Sequence, residues 1–254
     1  MLSVVTFKWK PQSNSYRSSY DAATVNTLFS MVDRHYPLPH RNICVTDDPK
    51  GINSSVEIVP IWDDHANVQN PSGSHNPSCY RRLKLFAPDA GKTFGERLVA
   101  IDLDMVIVKD LTPLFSRTED FVIWGYSDFP KTQFYNGSLW MLKTGSRTKV
   151  WTQFDPRSSP RLAYRKGCRG SDQGWLSYII PGEAAWGTRD GVYSHRVHIS
   201  KNGWRLPEDA RVVVFHGKHD PWSYHSQQIG WIREHYRSWA VNGAGNRFKA
   251  HTTC

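Results

Sequence analysis

The sequence predicts an α/β fold, with a mixed, mostly parallel sheet flanked by helices. Three observations carry this. Strand-like segments recur at residues 2–8, 41–46, 56–62, 98–101 and 211–215, and the short apolar run at 98–101 fits a strand of a sheet covered on both faces. Between the first two, Val25, Leu28, Phe29 and Val32 follow one another at helical spacing. The chain therefore opens strand, helix, strand, strand, which is the beginning of an α/β sheet.

Residues 2–8 alternate weakly and are rich in β-branched side chains, the pattern of a first strand. Residues 11–19 are polar and loop-like. Asp21 stands where a helix cap belongs, and the prolines within 35–40 end that helix. The second strand, 41–46, stops at Asp47-Asp48-Pro49, and 56–62 is a third. Residues 63–78 form a long loop rich in Asn, Pro, Ser and Gly. Such loops are often functional, and this composition predicts a lid with few apolar contacts of its own. A short helix at 79–88 carries Arg81, Arg82 and Lys84. Residues 111–115 read as a turn or short helix, 121–126 and 138–142 as strands, and 144–154 as a helix. The stretch 157–170 holds Arg157, Arg161, Arg165, Lys166 and Arg169 and no acid, and reads as a solvated loop or a surface for an anionic acceptor. Residues 171–180 form a helix opening with Ser171 and Asp172. A late apolar strand, 211–215, is followed by an aromatic-rich helix at 229–239 and a tail expected to be mobile.

A chain of 254 residues with 39% hydrophobic and 22% charged residues can bury a sizeable core, which excludes a disordered polypeptide. No run of about 18 apolar residues marks a membrane span, and the N-terminus carries no signal-peptide pattern. Cys44, Cys79, Cys168 and Cys254 lack metal-ligand spacing, so reduced thiols and a cytoplasmic location, free or peripheral at the inner membrane surface, are expected. The net charge of +9 favours an anionic partner without choosing among nucleotide, nucleic acid and acidic membrane.

Residues 97–110 carry the sharpest chemical signal. Leu98, Val99, Ala100 and Ile101 form a buried strand, and Asp102 and Asp104 follow one residue apart. In extended chain, residues two apart point to the same side at roughly 6–7 Å. Two carboxylates so placed repel each other and lose water when covered. A divalent cation relieves both costs, and Mg²⁺ or Mn²⁺ prefers such oxygen ligands. The alternative is a chance Asp-x-Asp on an exposed strand end. Apolar Leu103, Met105, Val106, Ile107 and Val108 weigh against it, since they keep the chain inside.

Several pieces then match one pattern in order: Tyr80-Arg81-Arg82-Leu83, Ala100-Ile101-Asp102-Leu103-Asp104, Tyr135-Asn136-Gly137-Ser138, Asp172-Gln173 and Phe215-His216-Gly217-Lys218. Over roughly residues 1–225 the chain resembles the retaining nucleotide-sugar glycosyltransferases of the GT-A fold, in particular glycosyltransferase family 8, the glycogenin and lipopolysaccharide galactosyltransferase type. The resemblance implies a GT-A domain over 1–225, with 226–254 as a C-terminal helix and tail. It implies that Asp102, Asp104 and His216 hold Mn²⁺ or Mg²⁺ against the diphosphate of a UDP-sugar. Arg82, Asn136 and Lys218 would contact the donor, as would Thr6 and Tyr20. Asp172 and Gln173 would stand beside the anomeric carbon. The chain departs from the family in reading Asn136-Gly137-Ser138 where Asn-Ser-Gly is usual, and in placing His216 directly before Gly217.

Each residue also has a plainer reading: His216 as a strand-end cap, Asp172 as a helix N-cap, Arg82 as a surface charge. The expected activity is transfer of a hexose from a UDP-sugar to an anionic glycan, a lipid-linked sugar or, as a narrower variant, nucleic acid. A non-catalytic nucleotide-sugar-binding module and a metal-dependent nuclease or phosphatase are the competing classes.

Overall fold

The computed structural model of the chain describes residues 1–10, 20–71, 79–125, 134–217 and 219–238. Strand β1 (Leu2–Lys8) is buried along its whole length. Helix α1 (Ala22–His35) follows, opened by Asp21, whose carboxylate accepts from the Thr24 amide at 2.8 Å. Then come β2 (His40–Thr46), β3 (Glu57–Pro60), a 3₁₀ helix over Cys79–Phe86, α2 (Gly91–Phe94) and β4 (Arg97–Ile101). Next are β5 (Met105–Ile107), α3 (Thr112–Phe115), β6 (Phe121–Gly125) and β7 (Tyr135–Lys143). The chain continues through α4 (Lys149–Thr152), α5 (Ser159–Arg165), α6 (Asp172–Ile179), β8 (Ala184–Trp186) and β9 (Val192–Ser194). It closes with β10 (Val212–Val214), α7 (Tyr224–Gln227) and α8 (Gly230–His235).

Seven strands form one sheet in the order β3-β2-β1-β4-β7-β6-β8. Within it β7 runs antiparallel between β4 and β6, while every other neighbouring pair is parallel. A smaller sheet, β5-β10-β9, packs beside it. Because successive strand residues face opposite ways, the main sheet sorts its side chains into two cores. Val4, Val99 and Ile101 join α1 and the small sheet on one face. Val5, Leu98, Ala100 and Trp140 join the 3₁₀ helix and α6 on the other. The segment after residue 225 adds Ile232 to the first core, and Trp231 donates its indole N–H to the Trp204 carbonyl at 3.0 Å. Among the described residues no helix is long and apolar enough to cross a membrane.

Several sequence expectations are corrected here. Residues 157–170 are not a plain loop: Pro160 in the first turn opens α5, a position where its missing N–H costs nothing. The helix expected over 144–154 shrinks to α4, because Gly145 and Arg147 take φ of 77° and 54°, outside helical space. The polar loop is anchored in its first half. Asp64 pairs with Lys84 at 2.6 Å, Val68 is buried, and His65 packs against Trp151 and Phe154. The expectations for residues 11–19, for the end of that loop (72–78), for Tyr126, Lys218 and the tail from 239 lie outside the described residues.

Candidate active site at the carboxyl edge of the sheet

β1 and β4 run parallel in register, Val5 beside Ala100, so their carboxyl ends share one edge of the sheet. Ligands of open α/β sheets bind at such edges. Thr6 tightens this one by donating its hydroxyl to the Ile101 carbonyl at 2.8 Å. Just beyond, β4 stops and the chain bends into β5 of the small sheet. Asp102 and Asp104 lie in that bend, so the extended geometry that would set them side by side is not kept. The Asp102 amide still bonds β7, at the Ser138 carbonyl, 2.9 Å away. The Asp104 carbonyl instead accepts from the Phe215 amide at 2.8 Å, extending the β5–β10 pairing and bringing His216 to the same bend. Leu103 and Met105 through Val108 are all buried, as the apolar flanks required.

The most ordered charge arrangement is built on Arg82. The 3₁₀ helix sinks this side chain to 6% exposure, which disposes of the surface-charge reading. Its Nε donates to Asp172 Oδ2 at 2.7 Å and its Nη2 reaches the same carboxylate at 2.5 Å, a two-pronged contact. Its Nη1 donates to Asp102. Burial works against the guanidinium's charge, but the two carboxylates more than restore it and hold its pKa well above the ordinary value. Burial pushes the Asp172 carboxyl up while Arg82 pulls it down. Asp172 is not the cap of α6, since that position belongs to Ser171. One guanidinium against two carboxylates leaves a formal excess of one negative charge, with Arg82 and Asp172 buried and the Asp102 side chain 30% exposed.

Gly137 explains the departure from Asn-Ser-Gly. A Cβ there would stand 2.7 Å from Arg82 Nη2 and 3.4 Å from Asp172 Oδ2, so the clasp fits only over a glycine. The strand is opened at this point by a register shift between Ile123 and Trp124, a bulge that takes Gly137 out of the β6 ladder. The freed Gly137 amide donates to Gln173 Oε1 at 3.2 Å, and Gln173 Nε2 donates to the Arg169 carbonyl at 3.4 Å. Asn136 folds back, its Oδ1 accepting from the Ser138 amide at 2.9 Å. Asp102, Asp172, Gln173, Arg82 and the strand carrying Asn136 are thus brought together.

The other expected residues cluster separately. His216 Nε2 shares a hydrogen bond with Ser194 Oγ at 2.7 Å and its ring stands against Trp124. Tyr20 meets Trp222 edge-on at 5.7 Å, and Trp222 meets Tyr236. Burial, and then the charges of Asp21, Asp104 and Asp220, push the Tyr236 phenol up. Asp104 therefore keeps company with Tyr236, Asp21 and Asp220, and Asp102 with Arg82. Sequence reasoning missed Asp220, Tyr236 and Lys8. For Lys8 a signal existed, a cation closing an otherwise uncharged buried strand. Cys79, beside the clasp, is no nucleophile, because burial pushes its thiol up to about 12.

For a divalent ion, the donors at the bend are two carboxylates and an imidazole, a set that suits Mn²⁺ or Mg²⁺. Phe215 bonded to Asp104 brings the backbone of the third donor alongside the second. Among the described residues, no three His, Cys, Asp or Glu side chains yet converge closely enough to hold a metal.

No family model and no curated protein matches the sequence. Solved structures do match in shape. The galactosyltransferase LgtC, in complex with donor and acceptor sugar analogs, is 13% identical with a TM-score of 0.59, over 91% of this chain and 93% of that one. An active-site mutant of LgtC gives 12% and 0.58 over the same shares. The glycosyltransferase GlyE of Streptococcus pneumoniae TIGR4 gives 11% and 0.53, over 92% of this chain and 63% of that one. At these identities the likeness establishes the fold, and it is the GT-A fold that the sequence led us to expect.

Proposed function

We propose that this chain is a glycosyltransferase that moves a hexose from a UDP-sugar to a glycan or lipid-linked acceptor, with retention and with help from a divalent ion. The observation that carries the reading is the Arg82 clasp of Asp102 and Asp172 at the carboxyl edge of a GT-A sheet. Mn²⁺ or Mg²⁺, held by Asp102, Asp104 and His216, would supply Lewis-acid stabilisation to the departing diphosphate.

The chain's own groups account for the rest. As the bond to the leaving group breaks, the anomeric carbon becomes positive, and a cluster of two carboxylates around one guanidinium favours that state. Arg82 holds Asp172 through two nitrogens, so the carboxyl group needs no reorganisation during the reaction. Gln173 is fixed at both ends of its amide, by Gly137 and Arg169, and can orient a sugar hydroxyl or an acceptor without drifting. Tyr20 and Trp222 offer an aromatic wall for the base.

The acceptor enters over α5. Arg161, Arg165, Lys166 and Arg169 are all exposed there. Arg169 lies over the Tyr164 ring at 5.2 Å while its carbonyl holds Gln173. A cationic surface tied to the catalytic amide favours an anionic acceptor. The same surface is what a nucleic-acid acceptor would need, so that variant stays as the second reading.

Incubation with a panel of UDP-sugars and MnCl₂ tests the proposal. Slow release of UDP without acceptor, faster with an anionic glycan or lipid-linked sugar, is the expected result. A protein that neither binds UDP nor releases it from any sugar tried is not this enzyme.

A further inference from the structure

Lys8 closes β1 at the sheet edge just described and is 6% exposed. Its Nζ is not among the buried polar atoms that lack a partner, so the stem is buried while the ammonium at its tip meets solvent at the sheet edge. Among the described residues, two Lys or Arg side chains are buried, Lys8 and Arg82. Arg82 faces two carboxylates, whereas among the described residues no hydrogen bond or ion pair reaches the Lys8 ammonium. Its charge is felt instead by the Cys44 thiol, a neighbour on β2.

The placement is informative. Residues of even number on β1 face the α1 side, as Leu2 and Val4 do, and Cys44 lies in that same core. β1 and β4 run parallel with Val5 beside Ala100, so Lys8 at the end of β1 lies at the same edge of the sheet at which the chain leaves β4 for the Asp102–Asp104 bend. On that side the bend presents Asp104, and Tyr20 packs on the same core.

We propose that Lys8 is an anion-binding residue of this site and that its ammonium pairs with a phosphate of the nucleoside diphosphate. The inference rests on the donor reading above. A phosphate offers an ammonium a full negative charge, whereas a base carbonyl offers only part of one. Lys8 would then hold the diphosphate from the end of β1, beside the bend that follows β4.

The test is calorimetric titration of wild type and Lys8→Met with UDP and with uridine, each with MnCl₂. Methionine keeps the length and removes the charge. We expect UDP affinity to fall about tenfold or more, uridine affinity to stay, and thermal stability without ligand to stay or rise. Equal UDP affinity in the two proteins overturns the inference, and so does a parallel loss for uridine, which would put Lys8 on the base. Should methionine prevent folding, Lys8→Gln gives the same comparison with a neutral donor. Wild type that binds neither UDP nor GDP nor CDP removes the donor reading itself, and Lys8 with it. Wild type that binds UDP beside an unaffected variant removes Lys8 alone.

Discussion

Replacing Arg82 by Met leaves the shape of the 3₁₀ helix but removes the guanidinium that stands between Asp102 and Asp172. The Asp172 side chain is 4% exposed, so water cannot take over. Breaking a buried ion pair by deleting one partner typically costs ~3–5 kcal/mol. For a chain of this size, at ~2–4 °C per kcal/mol, that is a fall in Tm of roughly 6–20 °C. The pH dependence has a definite sign. Burial already raises the Asp172 carboxyl above its ordinary 3.8, and loss of Arg82 removes what opposes it. A carboxyl with a higher pKa in the folded state costs nothing below 3.8, where both states are protonated, and costs more as pH rises past it. The deficit of Arg82→Met is therefore smallest near pH 4 and widest at neutrality. Thermal melts of both proteins from pH 4 to 8 measure it. Arg82→Lys, which keeps the charge without the fork, should fall between them. A deficit under about 1 kcal/mol at pH 7, or one that does not change with pH, refutes the pairing of Arg82 with Asp172 as a buried ion pair.

Three further outcomes are expected. Asp102→Asn and Asp104→Asn each abolish UDP release with the fold intact by circular dichroism, and normal turnover at low Mn²⁺ in either would remove the metal role. Gly137→Ala sets a Cβ 2.7 Å from Arg82 Nη2, so stability should drop by ~1–3 kcal/mol and turnover with it, read by melts and UDP release on one preparation. Changing Arg161, Arg165 and Lys166 together to Gln raises the acceptor KM and flattens its salt dependence, with donor hydrolysis unchanged. If transfer is indifferent to both, α5 is only a solvated face.

Elements with strong local signals were legible in the sequence. β1 matched its expected bounds because every residue in it is buried, and α1 because Asp21 caps it and an apolar stripe follows. β8 and β9 were missed, since three residues show no period. α5 was missed because Ser-Ser-Pro reads as loop and few of its side chains are buried. At the site, Asp102 and Asp104 were found from their apolar flanks, but not the bend that sends them to different neighbours. The pairing of Arg82 with Asp172 joins residues 90 apart, and nothing local announces it. The need for glycine at 137 became visible only when the guanidinium above it was seen.

The small sheet has a consequence for how the chain is made. Met105 of β5 pairs with Val214 of β10, a partner 109 residues downstream (214 − 105). At ~5–20 residues per second, a ribosome takes roughly 5–20 s to deliver it. By then β1, β2, β3, β4, β6 and β7 have all emerged and can pair among themselves, while Met105, Val106 and Ile107 wait as an open apolar edge. The segment that fixes Asp104 is thus synthesised after most strands of the main sheet. A nascent chain stalled before residue 212 would carry most of a finished sheet and an unfinished bend, the species on which a chaperone would act.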